Sequence, residues 1–157
     1  MKNMGSKGRI AKEILPIILK DRKPNQYYVE PFVGGCNSLD KVDGNRIASD
    51  TNKYIISMWK ALQSGWIPPR RVDREQYDCI KNNKENDLKL TGWVGIACSY
   101  SGKWFGGYAG NYPISRIKKN GLIPNYQDES YNTAIKQVGL LKGVIFYNLS
   151  YEELPIP

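Results

Sequence analysis

Two acids that close apolar runs are the residues best placed to hold a ligand. The run Tyr27-Tyr28-Val29-Glu30-Pro31-Phe32-Val33 carries Glu30 near its end and breaks at Gly34-Gly35-Cys36-Asn37. A second run, Arg46-Ile47-Ala48-Ser49, closes on Asp50. In an α/β sheet the carboxyl ends of the strands border the ligand crevice, and glycine there lets backbone approach a ligand closely. An acid ending the next strand can accept hydrogen bonds from ribose hydroxyls. The spacing therefore predicts a nucleoside-cofactor site. Short glycine turns after strands also serve structure alone, and that reading stands beside the first.

Histidine is absent, which removes the commonest general base and metal ligand, and with them most hydrolase mechanisms. Cys36, Cys79 and Cys98 are scattered and lack CxxC spacing. That argues for free thiols in a reducing compartment, the cytoplasm, and against a zinc site or a disulfide framework. No metal is expected.

A third stretch, Ser99 to Asn111, interleaves four glycines with four aromatics and Lys103. It cannot form a regular element, and displaying Lys103, Trp104 and Tyr108 would suit bases and phosphates. The alternative is a loop whose aromatics tuck into the core. Arg116, Lys118 and Lys119 extend a basic stripe, to which Arg70, Arg71 and Arg74 could add.

With 157 residues the chain fits one domain with room for a small insertion. Its 23 Lys and Arg against 15 acids give a net charge of +8, which favours nucleic acid as partner. A merely soluble basic surface is the bland alternative. No apolar span is long enough for a membrane, and the polar Met1 to Lys7 does not read as a signal peptide.

The elements that must position these residues follow from periodicity. Ile10 to Leu19 reads as a helix kinked or broken at Pro16. Tyr27 to Phe32 and Arg46 to Ser49 read as strands, with a short helix over Ser38 to Val42 between them. A second helix starts near Thr51, capped by Asp50 or Thr51, and ends at Gly65. Pro68-Pro69 marks a boundary. Arg74 to Lys84 reads as an amphipathic helix, while Trp93 to Cys98 fits a buried helix or a strand. Ser130 to Leu141 reads as a helix and Gly143 to Leu149 as a third strand.

Taken in order, Met4-Gly5-Ser6-Lys7, Glu30-Pro31-Phe32-Val33-Gly34-Gly35 and Ala48-Ser49-Asp50-Thr51-Asn52 resemble the N-terminal segments of the adenine-specific DNA methyltransferases. The similarity is to the phage-type branch of that Dam-like family. Trp59-Lys60-Ala61-Leu62-Gln63 and Cys98-Ser99-Tyr100-Ser101-Gly102-Lys103-Trp104-Phe105-Gly106-Gly107-Tyr108 resemble the same branch. The resemblance implies an α/β fold, a partial Rossmann-like methyltransferase sheet with a mostly helical DNA-recognition insert. Residues 1–67 and 129–157 would form the cofactor core and 68–128 the insert. It implies S-adenosylmethionine as cofactor and adenine N6 in double-stranded DNA as methyl acceptor. Asn3 and Lys7 would border the cofactor, Glu30, Pro31, Phe32 and Gly34 would shape its methionine side, and Asp50 would hold the ribose. Asn148 would flank the adenine. Asn3 stands where the family usually has an aromatic residue, and Cys36 where many members have glycine or alanine. Lys103, Trp104, Tyr108, Arg116, Lys118 and Lys119 would meet DNA.

The family's catalytic Asp-Pro-Pro-Tyr does not occur; Ile67-Pro68-Pro69-Arg70 lacks both the acid and the ring. No catalytic residue is assigned. The chain is expected to be the N-terminal part of such an enzyme, binding cofactor and DNA but inactive alone. The alternative is a non-catalytic phage protein on a shortened methylase fold that binds DNA or blocks a host protein. The strand missing beside Tyr27 to Phe32 would leave a central strand as an edge. That edge is expected to be covered by a second copy, a partner fragment or an altered local fold.

Overall fold

The computed structural model describes every residue except Ile156. Its centre is a parallel three-stranded sheet in the order β1-β2-β3, with β1 Tyr28–Glu30, β2 Arg46–Ser49 and β3 Ile145–Tyr147. The register pairs Val29 with Ile47, and Ala48 with Phe146. Because all three strands run the same way, Glu30, Asp50 and Asn148 emerge at one end of the sheet. The strands are shorter than their apolar runs predict, since Pro31 and Gly34 turn the chain out of β1 and Gly143 delays β3.

Helix α1 spans Ala11–Ile18, α2 Lys53–Gln63, α3 Arg74–Asn82, α4 Leu88–Ala97 and α5 Tyr126–Leu140. The expected break at Pro16 is absent, and α1 runs through it. Proline there removes only the bond to the carbonyl of Lys12. Both residues are exposed, so water meets that carbonyl while buried Ala11 and Leu15 hold the other face. The expected Asp50 or Thr51 cap is also corrected. Asn52 caps α2, accepting from the N–H groups of Tyr54 and Ile55, because the Asp50 carboxylate is engaged elsewhere. Segment 38–42 yields only a 3-10 turn, Leu39–Lys41.

The undecided stretch at Trp93 is helical. Asp87 caps α4, and the helix is buried from Thr91 to Ala97, which erases any polar face to read in sequence. It crosses α2 so closely that a Cβ on Gly92 would lie 2.1 Å from the Tyr54 carbonyl oxygen. Trp93, Val94, Ile96 and Phe105 belong to the same apolar core as Tyr28, Ala48, Met58 and Trp59. Residues 68–128 thus share one continuous core with the sheet.

The outer edge of β1 has no strand neighbour among the described residues. A groove of about 680 Å³ runs beside it, lined by Ile17, Ile18, Tyr27 and Val29 among others. Ile17 is 76% exposed there.

Two glycines test this packing in opposite directions. Gly92→Ala should cost about 1–3 kcal/mol through overpacking. Thermal denaturation should register that as a fall of about 2–10 °C at this chain size. Gly139 lies in α5 with nothing within 4 Å of an added Cβ. Gly139→Ala should raise the melting temperature, since alanine is about 1 kcal/mol better in a helix.

Candidate cofactor site

The crevice beyond β1 is built on the turn Val33 to Cys36. Val33 donates its N–H to the Ser49 carbonyl at 2.9 Å, and Cys36 closes the turn onto the Val33 carbonyl at 2.8 Å. Gly34 has φ +45° and Cys36 φ +57°. The left-handed region costs an L-residue with a Cβ about 1–2 kcal/mol, which gives a physical reason for a small residue at position 36.

Three side chains hold the turn from outside it. Asp50 Oδ2 accepts the Gly34 N–H at 3.0 Å, and the buried Trp59 indole donates to the Gly34 carbonyl at 2.9 Å. Gln137, also buried, donates to the carbonyls of Gly35 and Cys36 and to the Asp40 carboxylate. Asp50 Oδ1 accepts the Asn52 N–H at 2.9 Å. Each carboxylate oxygen has two lone pairs, so both keep one for a further donor.

Glu30 is buried beneath the turn. Its Oε1 lies 3.1 Å from Lys7 Nζ, and Lys7 also donates to the Phe32 carbonyl at 3.1 Å. Glu30 Oε2 is buried with no hydrogen-bond partner. Burial pushes this carboxyl above its usual range, against the pull of Lys7, and Asp40 adds to the rise. A buried carboxylate with an idle oxygen is costly to leave unpaired, so such an atom marks a place for an incoming donor. The two buried cysteines are held as thiols: burial pushes Cys98 up to about 12 and raises Cys36 well above its ordinary value.

Seven of the eight residues expected at the cofactor gather around this turn: Asn3, Lys7, Glu30, Pro31, Phe32, Gly34 and Asp50. Asn148 reaches it indirectly, tying the end of β3 to the carbonyls of Asp50 and Thr51 at 2.8 and 3.1 Å. The free space beside the turn is only about 30 Å³; Asn3, Lys7, Glu30, Phe32 and Gly34 are among its lining residues, and Pro31 and Asp50 are not. The Asn3 amide borders it and stands where a Gly34 Cβ would lie. The Glu30 and Asp50 carboxylates are acceptors, which fits an ammonium and ribose hydroxyls as donors, and room for them would require the Asn3 side chain to swing aside. Sequence reasoning missed Trp59 and Gln137 as supports, because a lone tryptophan or glutamine on a helix carries no local signal of a turn 25 or 102 residues away.

The six residues expected at DNA do not form one cluster. Trp104 is half-buried and stacks on Tyr54 at 5.6 Å, while Phe105 beside it is in the core. Tyr108 donates to the Val72 carbonyl and packs edge-on against Tyr77. Lys103, Arg116, Lys118 and Lys119 are exposed. Arg70 and Arg71 both pair with Asp128, and Arg74 lies over the Tyr108 ring.

The sequence model of the D12 class N6 adenine-specific DNA methyltransferases matches residues 4–89, more than half of the chain. The match takes in the whole turn, Lys7, Glu30 and Asp50. The chain belongs to this family. The family implies S-adenosylmethionine as its members' methyl donor. No curated protein matches the chain. Among the described residues no helix is long and apolar enough to cross a membrane, and no group of three or more His, Cys, Asp or Glu could hold a metal.

Glu30 gives a pH test. A carboxyl raised in the fold favours its protonated form, so stability is highest at low pH. It falls as pH rises through the ordinary carboxylate range to the raised value. Glu30→Gln should therefore melt above the wild type at pH 8, by about 2–4 °C for each ~1 kcal/mol relieved. The gap should close as pH approaches 4. A variant melting below the wild type at pH 8 would show that the Lys7 pair outweighs the burial cost.

Proposed function

We propose that this chain is the cofactor-binding part of a site-specific DNA adenine-N6 methyltransferase, on a partial Rossmann-like sheet with residues 68–128 as its recognition insert. The single observation that carries the reading is the idle, buried Oε2 of Glu30 facing a glycine turn whose other side is held by Asp50. In this reading S-adenosylmethionine supplies the methyl group. Glu30 accepts from its ammonium, the Gly34-Gly35 backbone admits its methionine chain, and Asp50 accepts from its ribose hydroxyls. Lys7 neutralises Glu30 until the ligand does, and Asn148 fixes the rim beside Asp50.

The adenine-binding Asp-Pro-Pro-Tyr is not among the 157 residues. In this reading methyl transfer draws on residues other than these 157 to bring an acid and an aromatic ring to the flipped base. The open edge of β1, next to Glu30, is the place in this fold for them to pair, and self-association through that edge would serve solubility instead.

Isothermal calorimetry tests the cofactor reading. Heat with one-site saturation is expected for the wild type. Asp50→Asn should weaken it about tenfold or more, since an interaction with a charged group contributes about 1.5–3 kcal/mol. Its melting temperature should fall by only about 2–4 °C: the amide oxygen can keep the Gly34 N–H, and the bond from the Asn52 N–H, about 1 kcal/mol, is lost. No heat at millimolar S-adenosylmethionine would overturn the reading.

A further inference from the structure

A polar groove of about 730 Å³ lies beside the cofactor crevice and shares Asn3, Gly5, Ser6 and Asn37 with it. Its walls carry four cations, Lys2, Arg9, Lys41 and Arg116, and no carboxylate is among its lining residues. Two of those cations are already engaged. Lys2 pairs with Glu129 at 3.2 Å and sits 4.3 Å from the centre of the Tyr126 ring, and Lys41 pairs with Asp40 at 2.8 Å. Arg9 and Arg116 are exposed and have no carboxylate partner among the described residues.

The same groove is aromatic. The Arg116 guanidinium lies over the Tyr112 ring at 4.8 Å, which fixes its plane. Tyr100 stacks on Tyr126 at 6.4 Å with an interplanar angle of 26°, and Tyr100 is 68% exposed. A ring supported on one face and wet on the other is a platform for a base. Two unpaired guanidiniums are matched to phosphate oxygens, which they can grip with two parallel bonds. A groove with cations, a flat aromatic face and no carboxylate among its lining residues suits a polynucleotide, which brings phosphates and flat bases together.

We infer that this groove seats the phosphodiester backbone of one DNA strand, with Arg9 and Arg116 as phosphate ligands and Tyr100 as a stacking platform. The inference rests on the proposed action on DNA and adds where the strand lies: along the Met1 to Arg9 segment, beside Asn3 and Tyr100, rather than over Trp104. A strand there reaches the cofactor crevice without crossing the sheet.

Titration of labelled duplex DNA with the full chain, at several salt concentrations, tests it. Each phosphate contact contributes a slope of about 0.9 in log affinity against log salt. Arg9→Gln and Arg116→Gln should each lower the slope by about 1 and weaken binding roughly tenfold near 0.1 M salt. Tyr100→Ala should weaken binding with the slope unchanged. Lys142→Gln, at the far end of α5, should do neither. Unchanged slopes in both arginine variants, with DNA still bound, would overturn the groove assignment and leave the proposed function standing. Displacement of the DNA by inorganic phosphate at constant ionic strength would also overturn it, marking a small-anion site. A wild type that binds cofactor but no DNA would overturn the groove and the proposed action on DNA together, while leaving the cofactor site intact.

Discussion

The turn from Val33 to Cys36 is the constraint on which the other elements converge. Its backbone is bonded by β2 through Ser49, by the β2–α2 junction through Asp50, by α2 through Trp59 and by α5 through Gln137. Each partner is set by its own packing: Trp59 is 1% exposed and Gln137 3%, so neither can drift without opening the core. A glycine turn is entropically expensive to order, and these four anchors supply the ordering before any ligand arrives. The cost of the arrangement sits at Glu30, buried with one oxygen idle, and at Cys36, held at positive φ. Strain gathered at one place while the surroundings are well satisfied is typical of a binding site.

Charge is distributed to match. Of the acids at the sheet end, Glu30 lines the crevice and Asp50 holds its Gly34 N–H, while the groove next to it is cationic and free of lining carboxylates. Of the ten basic residues in 68–128, three have a carboxylate partner among the described residues: Arg70 and Arg71 share Asp128, and Lys89 pairs with Asp87. The net +8 of the chain is therefore less informative than where the unpaired cations lie.

Much of this was legible in the sequence because it is local. Acids after apolar runs, glycines after Glu30 and the order of segments fixed the crevice residues and the parallel strands. What was not legible depends on distance in the fold. Asp50 reads as a helix cap until the Gly34 N–H is seen to claim it, and the cap passes to Asn52. Helix α4 shows no amphipathic period because neighbours surround it. Trp104 and Tyr108 look like display residues in sequence, but Tyr54 and Tyr77 take their ring faces and edges. Asn3 is legible as a departure from the family, yet only the structure shows its amide lying against Gly34.

Amide and indole N–H resonances of the ¹⁵N-labelled chain, followed by NMR during titration with S-adenosylmethionine, test the central claim most directly. The account predicts saturable shifts at the Gly34 and Gly35 amides and at the Trp59 indole, together with movement of the Asn3 side-chain amide. Shifts confined to other residues, or none at all, would contradict it.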